Sequence, residues 1–155
     1  IILYPVKNPE DYGIASINSK KKIFKIEEKV KKNRSNLAIT GLYFFDNRLI
    51  SFTKNLKKSK RNEFEIVDIL NQYLRKKKLS YELLGRGSTW FDVGSPKILN
   101  EASDFIKSTQ DRNGYKIGCL EEISYQKKWI NKSQLINAAK IYKGSSFSKY
   151  IKQIK

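Results

Sequence analysis

Histidine and methionine are missing from all 155 residues, and cysteine occurs once. Without histidine there is no Ser-His-Asp or Cys-His catalytic arrangement and no histidine-rich metal site. Cys119 can form no internal disulfide, and with no imidazole to activate it the thiol is expected to be a packing residue. A chain without disulfides suits a reducing compartment, so the expected location is cytoplasmic. No apolar run approaches the roughly 18 residues that a membrane helix needs, and no membrane partner is expected. Walker and GxGxxG phosphate loops are absent too. The opening Ile1-Ile2-Leu3-Tyr4-Pro5-Val6 is too short, and too poor in basic residues, for a signal peptide. It reads as a buried strand that wants neighbours on both sides. With no methionine at position 1, the chain is expected to be cut from a longer protein.

Acidic residues are scarce: 15 Asp and Glu stand against 32 Lys and Arg, a formal charge of +17. Such a balance invites a nucleic-acid reading. The basic set, however, is almost all lysine, whereas base and phosphate readers favour the forked guanidinium. The lysines are also spread over turns and exposed helix faces, as in Lys20-Lys21-Lys22, Lys57-Lys58 and Lys76-Lys77-Lys78. No specific nucleic-acid partner is therefore expected, but a general attraction for anionic ligands follows from the charge.

What is present describes a globular chain. Hydrophobic residues make up 39% and aromatics 12%, enough for one domain with a core. Strand patterns come first. Ile2 to Val6 is one apolar run, and Tyr12 to Ile17 and Ile23 to Ile26 flank the turn Asn18-Ser19-Lys20-Lys21 as a hairpin. Leu37 to Phe45 is a longer run, with Gly41 where a backbone or ligand could approach closely. A loop or short helix covers Asp46 to Lys58. Ile66, Ile69, Leu70, Tyr73 and Leu74 fall at helical spacing, giving a helix over 65–77, and Ser80 to Leu84 returns as a strand. Ser95-Pro96 caps a helix whose stripe is Ile98, Leu99, Ala102, Phe105 and Ile106, and Asn113-Gly114 stops it. Helices follow over 121–127, over 133–142 and up to Ile154. The order predicts a mixed α/β fold without the regular alternation of a complete doubly wound domain.

The chemistry left open is that of carboxylates, lysines and arginines, which suits phosphorylated, hydroxyl-rich ligands. Four segments stand out: Asn8-Pro9-Glu10-Asp11-Tyr12-Gly13, Ile26-Glu27-Glu28-Lys29, Lys60 to Asp68, and Gly85 to Gly94. Each also has a structural reading. Glu28 and Lys29 could form a surface ion pair, the acids after Arg61 could favour a helix start, and Asp92 could serve a turn.

Taken together, in this order, the segments resemble the glucose-1-phosphate thymidylyltransferases of the sugar-phosphate nucleotidyltransferase family. DPE-x-YG matches Asn8 to Gly13, EEKP matches Glu27 to Val30, and N-x-AVTGLYFYD matches Asn36 to Asp46. RGELEITD matches Arg61 to Asp68, GRG-x-x-W-x-D-x-G matches Gly85 to Gly94, and a CPEEIA-like run matches Cys119 to Ser124. Departures such as Val30, Asn62, Val67 and Leu120 remove no charged group. The resemblance implies the C-terminal part of a Rossmann-like nucleotidyltransferase domain, with a mixed sheet and a helical C-terminal tail. Residues 1–118 would be the sugar-phosphate-binding part and 119–155 the tail, with the nucleotide-binding half absent.

It further implies a transfer of dTMP from dTTP to glucose 1-phosphate, giving dTDP-glucose for dTDP-rhamnose synthesis, by a homo-oligomer that is a tetramer in the family. Glu28 would accept hydrogen bonds from glucose hydroxyls, while Lys29 and Arg61 would hold the sugar phosphate as the catalytic pair. Tyr12, Gly13, Ile39, Gly41 and Tyr43 would line the sugar pocket, Trp90 would wall it, and Asp92 would ligate Mg²⁺. A uridylyl- or cytidylyltransferase, or a non-catalytic sugar-phosphate-binding remnant, fits the same motifs.

Overall fold

The computed structural model describes residues 1–29, 34–54, 56–59 and 62–154. They form two compact units, Ile1–Asp92 and Val93–Lys155. The sequence boundary at 118 falls inside the second unit, between two of its helices.

The first unit is built on a five-stranded sheet of order β3-β2-β4-β1-β5. Its strands are β1 (Ile2–Pro5), β2 (Gly13–Ile17), β3 (Ile23–Glu28), β4 (Leu37–Ile39) and β5 (Glu82–Leu83). All pairings are antiparallel except β1 with β5, so the sheet is mixed. The β2–β3 hairpin closes as its turn residues predict. Asn18 Oδ1 accepts from the amides of Lys20 and Lys22, each at 3.0 Å, and Lys21 takes a left-handed φ of 54°. Asparagine suits this place because its side chain mimics a backbone acceptor.

Two helices complete the unit, α1 (Arg48–Thr53) and α2 (Ile66–Arg75). The predicted spacing is realised in α2, whose Val67, Ile69, Leu70 and Tyr73 are all buried. Val67 and Leu70 meet Leu3, Ala15, Ile23, Ile26 and Ile39 from the sheet in one core. Phe52 of α1 and Ile69 and Tyr73 of α2 make a second cluster. Asp46, just ahead of α1, accepts from the Tyr73 hydroxyl at 2.9 Å and is forked by Arg48.

The long strand expected over 37–45 is shorter. Pairing ends at Ile39, because Gly41 turns the chain at a φ of 83° and Leu42 and Phe44 then face outward, 55% and 83% exposed. Beyond Ile39 the Thr40 amide donates to the Ile2 carbonyl at 3.2 Å and the Ile2 amide donates to the Leu42 carbonyl at 3.3 Å. The strand expected over 80–84 also contracts, to two residues.

The second unit is helical: α3 (Pro96–Asn113), α4 (Leu120–Gln126), α5 (Lys132–Ile141) and α6 (Ser146–Gln153). Ser95 Oγ caps α3 by accepting from the Ile98 amide, and Gly114 ends it at a φ of 71°. Of the predicted stripe only Ala102 is buried, while Leu99, Phe105 and Ile106 remain exposed. Asn131 and Gln134 form a reciprocal capping box at the start of α5. Cys119, Leu135, Ala139 and Ile151 make this unit's core. The thiol is therefore the packing residue expected of it, and burial pushes its pKa up. Among the described residues, no helix is long and apolar enough to cross a membrane.

Candidate functional site

The open end of the β2–β3 hairpin creates the site. Its register sets Gly13 opposite Glu28, fifteen positions later in the chain. The next residue, Lys29, donates its amide to the Tyr12 carbonyl at 3.0 Å. Lys29 leaves the strand with a left-handed φ of 46°. That conformation costs a residue with a β-carbon about 1 kcal/mol. Strain of this kind concentrates at functional positions, where the surrounding structure holds it in place.

Gly13 is the position where absence of a side chain matters. A β-carbon there would lie 2.9 Å from Glu28 Oε2, 3.3 Å from Val67 Cγ2 and 3.7 Å from Ile39 Cδ1. The Glu28 carboxylate thus rests directly against the strand backbone. Gly41 has a different reason to be glycine. A β-carbon there would meet nothing within 4 Å, whereas its left-handed φ of 83° disfavours any side chain. The close approach of protein atoms to backbone is thus at Gly13.

Around these residues lies a pocket of about 210 Å³. It is smaller than the roughly 300–1,000 Å³ of drug-sized ligand sites and suits a small polar ligand. Tyr12, Gly13, Glu28, Lys29, Ile39, Gly41, Tyr43, Trp90 and Asp92 all line it. Every predicted site residue that the structure describes is thus brought to one place. Arg61 lies outside the described residues.

Four lining residues lie outside the predicted site set: Asp11, Thr40, Ile66 and Val67. Each sits inside a motif quoted above, but only Asp11 and Thr40 adjoin a predicted site residue, so proximity in sequence is a signal for those two alone. Tyr4 is a further omission. Its ring lies 5.9 Å from Trp90, its hydroxyl donates to the Ser88 carbonyl at 3.2 Å, and Tyr12 meets Trp90 edge-on at 5.2 Å. Two tyrosines from β1 and the β2 entrance therefore hold the indole at the pocket.

The electrostatics are mixed in sign. Desolvation raises the Tyr43 pKa, and the nearby Glu28 carboxylate raises it further. Tyr12 is likewise raised by desolvation, then by Asp92 and Asp11. Both phenols therefore stay protonated and can donate hydrogen bonds. Lys29 supplies positive charge in the same pocket. Such a set can grip an anion on one side and hydroxyl groups on the other. Among the described residues no group of three His, Cys, Asp or Glu side chains could enclose a metal ion. Asp92 and Asp11 nevertheless offer hard oxygen donors of the kind that Mg²⁺ takes together with phosphate oxygens.

The glucose-1-phosphate thymidylyltransferase of Neisseria meningitidis is 38% identical over 97% of this chain and 52% of its own length. That of Mycolicibacterium smegmatis is 39% identical over 99% of this chain and 54% of its own. The chain spans about half the length of the curated relatives it matches. A Bacillus anthracis structure described as a glucose-1-phosphate thymidylyltransferase in complex with sucrose superposes with a TM-score of 0.59. It is 39% identical and covers 67% of this chain and 41% of that one. The nucleotidyl transferase family model matches residues 1–109. The chain belongs to the nucleotidyl transferase family.

Proposed function

We propose that this chain is the sugar-phosphate-binding part of an enzyme that transfers dTMP from dTTP to glucose 1-phosphate, releasing pyrophosphate. The observation that carries the reading is the convergence of Glu28, Lys29, Trp90 and Asp92 on one pocket, from segments up to 64 positions apart. In the proposed reaction a phosphate oxygen of glucose 1-phosphate attacks the α-phosphorus of dTTP. The bond from that phosphorus to the β-phosphate bridging oxygen breaks, and pyrophosphate leaves with the electron pair. Phosphoryl chemistry of this kind needs positioning and charge neutralisation more than acid-base groups, in keeping with a chain free of histidine.

Lys29, with Arg61, would hold the sugar phosphate, and Glu28 would accept from sugar hydroxyls beside the Gly13 backbone. Tyr12 and Tyr43, kept protonated, would donate to sugar oxygens. Ile39 and Gly41 would shape the wall, and Trp90 would close it. Asp92 would hold Mg²⁺, which when bound would neutralise phosphate charge. The reading includes a cytoplasmic homo-oligomer serving dTDP-rhamnose synthesis. Exposed Leu120, Trp129 and Ile141 are side chains that such an assembly would cover.

Calorimetric titration of this chain with glucose 1-phosphate tests the binding half of the reading. Binding is expected, and Lys29→Ala should weaken it by about 1.5–3 kcal/mol through loss of a charge-assisted contact. In an enzyme carrying these residues together with a nucleotide site, Asp92→Asn should cut turnover strongly while preserving shape. Unchanged affinity in the first variant and unchanged turnover in the second would refute the assignment.

A further inference from the structure

The turn end of the β2–β3 hairpin holds a second concavity, at the opposite end of the strands from the candidate site. This groove of about 540 Å³ runs between the Asn18–Lys22 turn and the C-terminal end of α2. No lining residue is shared with the first pocket. Its floor is apolar, from Ile23, Leu74, Leu79 and Tyr81, and its rim carries Lys21, Lys22 and Lys77. No acidic residue lines it.

We propose that this groove binds a small organic phosphate with an apolar body, of nucleotide size. Lys21 and Lys22 from the 20–22 run and Lys77 from the 76–78 run line the same groove because α2 packs on the hairpin. None of the three rim lysines has an ion-pair partner among the described residues. Their positive charge is therefore offered to solvent on one side of an apolar floor. A few polar or charged groups around an apolar lining is the usual composition of a small-molecule site, and the volume falls within the usual range. Lysine ammonium groups are point charges that suit phosphate without demanding a fixed geometry.

Both ends of the rim also carry lysine where glycine is the easier residue. Lys21 and Lys77 have φ values of 54° and 55°. Lys77 occupies the left-handed position after α2, with its amide on the Leu74 carbonyl and that of Lys78 on the Tyr73 carbonyl. That position is usually glycine.

Titrating the isotope-labelled chain with ATP, in the absence of divalent cation, tests the proposal by NMR. Shift changes are expected at the amides of residues 18–23 and 77–81, apart from those of the Gly13–Glu28 pocket. Lys21→Gln/Lys77→Gln should weaken binding roughly tenfold, while Lys57→Gln/Lys58→Gln should leave it unchanged. Lys22→Gln provides the same test without altering a left-handed residue. Tripolyphosphate should bind less tightly than ATP, because it cannot fill the apolar floor. Shifts spread over every basic face, equal affinity in the control and groove variants, or equal affinity for tripolyphosphate would overturn the proposal. So would tighter binding of an acidic hexapeptide in the groove, which would make the occupant a protein segment.

Discussion

Adding one methyl group at Gly13 separates the site's chemistry from its fold. In Gly13→Ala the new β-carbon would meet Glu28 Oε2 at 2.9 Å and Val67 Cγ2 at 3.3 Å, where ordinary contact begins at 3.4 Å. Val67 needs to give by only about 0.1 Å, while the carboxylate must retreat by about 0.5 Å. Alanine is also the better strand residue by about 0.5–1 kcal/mol, which offsets the crowding. Stability should therefore stay within about 1 kcal/mol of the parent chain. A sugar hydroxyl bonded to Glu28 would lose its acceptor, and a hydrogen bond to a charged group contributes about 1.5–3 kcal/mol. At about 1.4 kcal/mol per decade, affinity for glucose 1-phosphate should fall roughly 10- to 150-fold. Gly114→Ala, outside the pocket, is the contrasting control. It meets no atom, but forces a side chain into a left-handed φ at about 1–2 kcal/mol. It should lower stability and leave affinity near normal. Calorimetric titration beside thermal unfolding reads both quantities. If folded Gly13→Ala bound glucose 1-phosphate as tightly as the parent, Glu28 would not be a sugar ligand.

Asp46 is held at a pKa of about 2, below its ordinary 3.8, chiefly by hydrogen bonding from Arg48, with Tyr73 adding to it. A depressed carboxylate stabilises the fold above its unfolded pKa and loses that contribution as pH falls. The stability gap between the parent and Asp46→Asn should hold at neutral pH and close between about pH 4 and pH 2. The pair is exposed, so added salt should narrow it. A gap constant down to about pH 2 would show that the charge contributes nothing. Lys77→Gly should raise stability by about 1 kcal/mol, relieving the left-handed lysine after α2, while weakening ATP in the groove. Denaturant unfolding would measure the first effect, and no gain would mean that Lys77 carries no strain.

Local patterns were legible where a residue's own chemistry decides. Asn18 makes its turn, Ser95 and Pro96 start α3, Gly114 ends it, and the apolar spacing of α2 becomes its buried face. These depend on neighbours within a few positions, so sequence order carries the information. The members of the candidate site were legible for a different reason: their motifs resemble a known pattern, and each spans only a few residues. What no local reading supplied was the arrangement across segments. Gly13 lies against Glu28 because of the hairpin register, Tyr4 of β1 supports Trp90 of the Gly85–Asp92 loop, and Lys21, Lys22 and Lys77 share a groove because α2 packs on the same hairpin. Strand length went the same way. Leu42 and Phe44 look as apolar as Leu37, yet regular pairing ends at Ile39 and, past Gly41, both side chains face outward. Register, packing and the end of a ladder are properties of pairs of segments, and only the tertiary structure fixes which segments become pairs.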